Sequence, residues 1–187
     1  MLARTTRYSI LGAFALAAGV LALSGCLHAT ATRNVSNVPT IQGAAPSPGW
    51  QPRPGVHVAG QPAAGDWEGY AKQGVSTVVN LRLPGELPVR DAAAEVRAAG
   101  MRYVTIPVAG LEGITFDNAN RLREVLEGAG GPVLDHCSSG NRAGALLALD
   151  AVTGGMSAEQ ALDLGRAAGM TSAEPRVREL LGLPASP

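Results

Sequence analysis

The chain has 187 residues with 15 basic and 15 acidic side chains, so it is long enough for one domain and its formal charge is zero. Residues 26–187 hold 12 Arg and one Lys against 15 acids, without a basic stripe, which argues against nucleic acid as a partner. The three histidines lack the spacing of metal ligands, and no Cys-x-x-Cys pair, Walker loop or dinucleotide fingerprint occurs. We therefore expect neither a metal nor a cofactor.

The first 25 residues have the pattern of a secretory signal peptide. Arg4 and Arg7 precede an unbroken apolar run over 10–23, and these 14 residues fall short of the length that crosses a bilayer, about 20 residues. We therefore predict that residues 1–25 are removed from the mature protein. An uncleaved anchor is the alternative.

The end of this run, Leu23-Ser24-Gly25-Cys26, resembles the lipobox of bacterial lipoproteins. That resemblance implies that Cys26 is acylated and becomes the mature N-terminus, with enough buried methylene groups for stable anchoring. The residue after Cys26 is Leu27 and not Asp, and in this the chain resembles lipoproteins of the outer membrane. The resemblance implies an anchored protein on the periplasmic side of a bacterial envelope. A chance cysteine in an ordinary signal peptide is the alternative.

Residues 26–54 are expected to form a flexible tether, because they contain five prolines and scattered polar residues with no apolar period. The folded domain is predicted over 55–187. If Cys26 carries lipid, Cys137 has no disulfide partner within the chain, so the domain must be held together by its core.

Within that domain, apolar runs alternate with helical patterns. Strands are predicted over 56–59, 75–81, 101–108 and 132–136. Helices are predicted over 67–73, 91–99, 116–127 and 143–152, followed by two closing helices that begin at Ser157 and at Glu174-Pro175. This order predicts an α/β fold of three layers, with a mostly parallel central sheet flanked by helices. Ligands of such sheets bind beyond the carboxyl ends of the strands, where Cys137 is expected.

The segment 136–142, His-Cys-Ser-Ser-Gly-Asn-Arg, has the composition of an anion-binding loop with a nucleophile. A strand that passes into Cys137, then Ser138, Ser139, Gly140 and Asn141, and then into a helix turns its backbone N–H groups inward. There the helix N-terminus adds about half a positive charge. Gly140 permits a backbone conformation closed to other residues, and Arg142 can grip two oxygens of a tetrahedral anion. The same field stabilises a thiolate at Cys137. A buried structural cysteine is the alternative, but a core strand has no use for the polar run that follows.

Other polar residues are predicted at the same end of the sheet. Strand alternation puts Asp135 on the face opposite His136, where we expect it to pair with a cation. Asn80 and Arg82, at the end of the second predicted strand, either border the pocket or are a strand-end cap and a solvated charge.

Four stretches of the domain together resemble the cysteine-phosphatase superfamily. They are VAGQP at 58–62, GVSTVVNLR at 74–82, MRYVTIPV at 101–108, and the loop from His136-Cys137 through Gly140 to Arg142. The resemblance is to a small bacterial branch related to dual-specificity phosphatases and to the phosphatase-like domain of beta-lactamase-hydrolase-like proteins. It implies a dual-specificity-phosphatase-like fold and a phospho-cysteine mechanism, in which Cys137 attacks phosphorus while Arg142 and the amides of 138–141 hold the phosphoryl oxygens.

The resemblance also implies roles for three further residues. His136 would orient the loop through hydrogen bonds, although a satisfied core histidine explains it too. A carboxylic acid on the loop after strand 101–108 would protonate the leaving group, and Glu112 and Asp117 are the candidates there. Asp117 is equally explained as an acid in the first turn of a helix.

The loop is one residue shorter than the phosphatase signature, because four residues, and not five, separate Cys137 from Arg142. The short spacing is also typical of rhodaneses, in which the cysteine carries sulfane sulfur as a persulfide, and the branch named above shares it. The leading hypothesis is therefore a cysteine-dependent phosphatase of tyrosine- or dual-specificity-like type. A rhodanese-like sulfurtransferase and a non-catalytic anion-binding module are the alternatives. The expected substrate is a phosphorylated or sulfane-sulfur small molecule or protein.

Overall fold

A computed structural model of the chain describes residues 49–87 and 89–185. The predicted signal peptide, the predicted lipidation site Cys26 and most of the predicted tether lie outside these residues. Within the two described ranges, no helix is long and apolar enough to cross a membrane.

Five strands form one sheet in the described part of the chain, in the order β1-β2-β5-β3-β4. They are β1 (Trp50–Arg53), β2 (Val56–Ala59), β3 (Thr77–Asn80), β4 (Arg102–Thr105) and β5 (Val133–His136). β1 runs antiparallel to β2, and all other neighbours are parallel because helices connect them. β5 lies between β2 and β3, so the chain that follows β5 leaves the sheet at its centre.

Helices cover both faces of the sheet. They are α1 (Trp67–Lys72), α2 (Ala92–Ala98), α3 (Phe116–Glu127), α4 (Asn141–Thr153), α5 (Ala158–Ala167) and α6 (Glu174–Leu180). Asp91 caps α2 and Thr115 caps α3, since each side chain accepts a hydrogen bond from the backbone N–H three residues later. Ser157 caps α5 in the same way, as its capping box predicts.

Two hydrophobic cores hold the layers together. The larger core lies between the sheet and helices α3 to α6, and the smaller core lies between the other face of the sheet and helices α1 and α2. Alternate residues along β5 and the residue after it enter opposite cores: Val133 and Cys137 belong to the larger one and Leu134 to the smaller one.

Helix α4 is the central helix of the larger core, with nine consecutive buried residues from 143 to 151. It packs closely against α5 at two glycines, since a Cβ on Gly144 would lie 2.7 Å from the Gly165 carbonyl oxygen. The start of α4, which carries Arg142, is therefore fixed by a tightly packed helix pair.

The predicted α/β fold of three layers with a mostly parallel sheet is confirmed. The predicted boundary of the tether is wrong, because β1 (Trp50–Arg53) lies inside the range 26–54 and pairs with β2. Pro52 and Pro54 interrupt any strand pattern there, and a proline is tolerated in β1 because β1 is an edge strand. The strand exists through its pairing with β2, which local sequence does not encode.

Candidate active site

Cys137 lies at the centre of the carboxyl edge of the sheet. Ala59 of β2 and Asn80 of β3 are both in register with His136, the last residue of β5, so the next residue is flanked from both sides. The Cys137 side chain is 1% exposed and belongs to the larger core. This is where parallel sheets bind their ligands.

The segment after β2 supports the loop 137–142 from one side. The Gln61 amide donates to the Ser138 carbonyl at 3.1 Å, and Gly60 forms a β-bridge with Ser139. A Cβ on Gly60 would lie 3.1 Å from that same carbonyl oxygen. The close approach of the two backbones therefore favours glycine at this position.

The backbone of the loop turns toward the sulfur. The Gly140 amide donates to Cys137 Sγ at 3.1 Å. Gly140 is the N-cap of the 13-residue helix α4 and has a φ of 88°, in the left-handed region that favours glycine. A backbone N–H and a helix N-terminus thus lie beside the sulfur, and both stabilise negative charge there.

Arg142, in the first turn of α4, forms a two-point ion pair with Glu86. Its Nη1 donates to Glu86 Oε1 and its Nη2 donates to Glu86 Oε2, both at 2.8 Å. Nη1 also donates to the Val108 carbonyl at 2.9 Å, and Nη2 to Ser138 Oγ at 2.7 Å. These bonds fix the plane of the guanidinium, because the N–H groups of both terminal nitrogens lie in that plane and point at their acceptors.

Glu86 and Arg142 each shift the pKa of the other toward the charged form. The hydrogen bond from Arg142 is the largest influence on Glu86 and lowers the pKa of its carboxyl to about 2, although partial burial opposes the change. The pKa of Arg142 is raised, first by its hydrogen bond to Glu86 and further by the charge of Cys137 and a hydrogen bond to that residue. Both the carboxylate of Glu86 and the Cys137 side chain therefore favour the charged form of Arg142.

A second arginine lies on the other side of Glu86. Arg82 Nε is 3.5 Å from Glu86 Oε2, while its Nη1 donates to Gln61 Oε1 at 2.6 Å and its Nη2 to the Glu86 backbone carbonyl. Arg82 is 8% exposed, so it is not a solvated charge.

The side chains of Ser138 and Asn141 have different surroundings. Ser138 Oγ lies 3.1 Å from Glu86 Oε2, to which it donates. Asn141 Oδ1 accepts from the amides of Thr171 and Ala173, at 2.8 and 3.1 Å. The Asn141 side chain therefore connects the start of α4 to the segment before α6. Only the backbone of Asn141 is then available to contribute to the loop.

His136 faces the smaller core, where it packs edge-on against Trp67 with ring centroids 5.9 Å apart. Burial lowers the pKa of His136 to about 4, and the nearby Cys137 backbone only partly opposes that effect. In the part of the chain that the structure describes, neither ring nitrogen has a hydrogen-bond partner of good geometry. Packing against Trp67 holds this ring beside the loop, and a role of His136 in orienting the loop stays a prediction.

Asp135 faces the larger core, opposite His136 as predicted, but the predicted pairing with a cation is wrong. Its side chain is fully buried, and neither carboxyl oxygen has a hydrogen-bond partner among the described residues. Burial raises the pKa of Asp135 to about 8. The carboxyl is therefore mostly neutral near pH 7, because a charged carboxylate loses its solvation inside the apolar core.

The two predicted proton donors lie on the surface. Glu112 is exposed on the turn after Val108, and Asp117 is exposed in the first turn of α3, directly after its cap Thr115. Within 49–87 and 89–185, neither forms an ion pair or hydrogen bond with Arg142. The position of Asp117 agrees with the helix-dipole explanation.

Glu86 is not among the site residues predicted from the sequence. It follows β3 in the segment LPGE at 83–86, at the same carboxyl edge of the sheet as Cys137, and this position was the available signal. The pairing itself was not predictable, because Glu86 and Arg142 are 56 residues apart and an irregular loop brings them together.

A comparison with known families finds the same region. The profile of the family described as "Beta-lactamase hydrolase-like protein, phosphatase-like domain" matches residues 53–154, more than half of the chain. The chain belongs to this family. The matched part of this phosphatase-like domain runs from the end of β1 to the end of α4 and includes Glu86, Cys137 and Arg142. The predicted family is thereby confirmed.

Curated relatives of the phosphatase-like domain are beta-lactamase hydrolase-like proteins from Xylella fastidiosa and Agrobacterium fabrum. They are 35% and 33% identical over 117 residues. Each match covers 60% of this chain and 27% of the relative, so the chain spans about a quarter of the length of the curated relatives it matches.

A solved structure of known fold is also similar. The core catalytic domain of the PP-IP phosphatase SIW14 from S. cerevisiae has a TM-score of 0.62 at 15% identity, over 74% of this chain and 85% of that one. At this identity the likeness concerns the fold, and the predicted dual-specificity-phosphatase-like architecture is confirmed.

Proposed function

We propose that the domain hydrolyses phosphomonoesters through a phospho-cysteine intermediate at Cys137, in the manner of tyrosine- and dual-specificity-like phosphatases. The observation that carries the proposal is the position of Arg142, whose two terminal nitrogens are held by Glu86 and which also donates to Ser138 Oγ of the loop that begins at Cys137. A sulfur nucleophile, an oriented guanidinium and an inward N–H group thus share one site. Membership in a phosphatase-like family supports the proposal.

In the first step, the Cys137 thiolate attacks phosphorus and forms an S–P bond. The bond between phosphorus and the leaving oxygen breaks, and its electron pair stays on that oxygen, which takes a proton from an acid. Arg142 and the loop amides stabilise the charge on the phosphoryl oxygens in the transition state, where preorganised donors contribute most.

In the second step, water attacks phosphorus and gives a proton to the carboxylate that acted as the acid, while the S–P bond breaks and its electron pair returns to sulfur. Inorganic phosphate leaves and the thiolate is restored. The identity of the proton donor stays a prediction, with Glu112 and Asp117 as the candidates. Both are exposed, and among the residues that the structure describes neither is hydrogen-bonded to Arg142.

A sulfurtransferase is the second candidate function, and two observations favour it. The loop has four residues between Cys137 and Arg142, and no carboxylic acid other than Glu86 is bonded to Arg142 in the described ranges. With thiosulfate, the thiolate would attack the outer sulfur, the S–S bond would break, and sulfite would leave with the electron pair without needing a proton. Cyanide would then remove the outer sulfur from the persulfide as thiocyanate and restore the thiolate.

The two functions are separated by assaying the full chain and a Cys137→Ser variant side by side. Each receives an aryl phosphate in one assay, and thiosulfate with cyanide in the other. We expect phosphate release by the parent chain and none by the variant. Thiocyanate formation without phosphate release would contradict the phosphatase proposal. Silence in both assays, with sulfate binding detected by calorimetry, would point to a non-catalytic anion-binding module.

We further propose that the protein acts on the periplasmic side of a bacterial envelope, anchored by lipid at Cys26, on a phosphorylated small molecule or protein. The support is the lipobox-like LSGC segment at 23–26 after an apolar run. Lipid labelling and membrane fractionation test this with a Cys26→Ala variant. Loss of label and release from membranes are expected, and unchanged labelling would contradict the anchor.

A further inference from the structure

A cavity of about 380 Å³ lies beside the catalytic loop, at the carboxyl ends of β3 and β4. Asn80, Arg82 and Tyr103 line it on the side of the sheet, and residues between 83 and 93 line the other side. Among the described residues, its lining does not include Cys137 or Arg142, so it is a neighbouring space and not the anion loop. The segment that carries Glu86 borders both.

Arg82 contributes a buried positive charge to this cavity. It is 8% exposed, its Nη groups donate to two neutral oxygens, and its Nε–H forms no hydrogen bond in the described ranges. The Glu86 carboxylate lies 3.5 Å from that Nε, but its two oxygens are bound at 2.8 Å by Arg142. Two guanidinium groups therefore share one carboxylate, and one positive charge is left without an anion of its own.

The other charged groups of the cavity are engaged elsewhere. Arg90 forms a two-point ion pair with Glu95, in which its Nε donates to Glu95 Oε1 at 3.1 Å. Asp91 caps helix α2 through the Ala94 amide at 2.9 Å. Among the described residues, the only carboxylate paired with Arg82 is thus Glu86, which Arg142 also binds, and a buried charge is stabilised by an ion of opposite sign.

Tyr103 adds a neutral donor to the cavity. Its hydroxyl oxygen accepts from Asn80 Nδ2 at 2.8 Å, so its own proton is available for an acceptor in the cavity. Burial raises the pKa of Tyr103, which keeps the hydroxyl protonated. A guanidinium and a phenol together form a set of donors suited to carboxylate or phosphate oxygens.

We propose that this cavity binds a second anionic group, a carboxylate or a phosphate, on the leaving group of the substrate, while the loop 137–142 holds the reacting phosphate. The proposal rests on the proposed function for the reacting group. Glu86 contacts Arg142 and lies 3.5 Å from Arg82, so one small ligand with two anionic groups can reach both guanidinium groups. The substrate class is therefore a small phosphomonoester that carries a second acid group.

The test compares two ligands that differ by one carboxylate, ethyl phosphate and 2-phosphoglycolate. Their binding to the full chain is measured by calorimetry in a Cys137→Ser background, which stops turnover. We expect 2-phosphoglycolate to bind about tenfold more tightly, the effect of one charge-assisted hydrogen bond to a buried guanidinium. In that background, Arg82→Gln should bring the ratio of the two affinities close to one. The control Arg121→Gln, an exposed arginine on α3, should leave the ratio unchanged.

Because Arg82 is buried, its variant is checked by thermal unfolding, and Tyr103→Phe serves as a second variant. Loss of the phenol donor should reduce the preference severalfold in a folded protein. Equal affinities for the two ligands in the parent background, or a preference that survives both variants, would overturn the proposal. Turnover of an aryl phosphate by the unmodified chain is recorded separately. Turnover without a preference for 2-phosphoglycolate would contradict only the second site, and that preference without turnover would contradict only the phosphatase function.

Discussion

Glu86 and Arg142, 56 residues apart in the chain, form a two-point ion pair beside the loop 137–142. The carboxylate holds the two terminal nitrogens of the guanidinium, and Cys137 interacts with the same group. Glu86 is therefore a positioning residue, since it sets the plane of the arginine before an anion arrives.

Replacing Glu86 by Gln should lower kcat/KM for an aryl phosphate about tenfold, because a neutral amide can hold only one terminal nitrogen of Arg142 and the guanidinium loses its fixed plane. Steady-state kinetics measures this, with Glu124→Gln on the exposed face of α3 as the matched control. Equal kcat/KM in the Glu86 variant and the parent would show that the ion pair has no part in orienting Arg142.

The same pair makes stability depend on acid. The pKa of Glu86 is about 2 in the folded chain and 4.5 in its ordinary state, so the pair contributes fully above pH 4.5 and is lost as the pH falls toward 2. Urea unfolding of the parent and of Glu86→Gln should therefore differ near pH 7 and converge near pH 2. A difference that is constant over this range would contradict the assignment.

Asp135 should have the opposite pH dependence. Its pKa is about 8 when folded against an ordinary 3.8, so the unfolded chain ionises first and folding loses stability as the pH rises from about 4 to 8. The neutral isostere Asp135→Asn removes this loss. We expect the free energies of unfolding of parent and variant to be closest near pH 4, with the variant gaining steadily toward pH 8. A gain that does not grow with pH would mean that Asp135 is ionised or paired in the folded protein.

Trp50 and Gly140 form a contact between the edge strand and the catalytic loop. A Cβ on Gly140 would lie 2.6 Å from Cζ3 of the Trp50 ring, and the φ of 88° adds strain of about 1–2 kcal/mol for any other residue. Gly140→Ala should therefore lower both stability and activity. In a double-mutant cycle, Trp50→Ala should recover the part that is due to the clash. Strictly additive free energies would show that the ring does not press on the loop.

The proton donor can be found from the dependence on the leaving group. Removing a general acid costs about 100-fold or more with a poor leaving group and little with a good one. Glu112 is on the turn that begins after Val108, whose carbonyl is bonded to Arg142, so we expect Glu112→Gln to slow an alkyl phosphate far more than an activated aryl phosphate. Asp117→Asn should affect both equally and weakly. The reverse pattern would assign the role to Asp117.

Most of the architecture was predictable because it depends on local patterns. The apolar runs of β2, β3 and β5 and the glycines that end the helices determine the βαβ order, and that order brings Cys137 to the carboxyl edge of the sheet. The loop itself was predictable for the same reason, because the composition of 136–142 favours a loop that leads from a strand into a helix.

The remainder depends on contacts between distant segments. β1 forms by pairing with β2, and Glu86 meets Arg142 through an irregular loop. Strand alternation predicts the face of Asp135 but not its pairing, since the carboxyl has no hydrogen-bond partner in the described ranges and burial favours its neutral form. Periodicity and propensity carry no information on such pairings.

The most direct test of the central claim is mass spectrometry of the intact chain after rapid quenching of its reaction with an aryl phosphate. The proposed chemistry predicts one added phosphoryl group on the peptide that contains Cys137, and no such adduct in Cys137→Ser. Phosphate release by the Cys137→Ser chain, or a persulfide on Cys137 after thiosulfate with no phosphoryl adduct from any phosphomonoester, would contradict it.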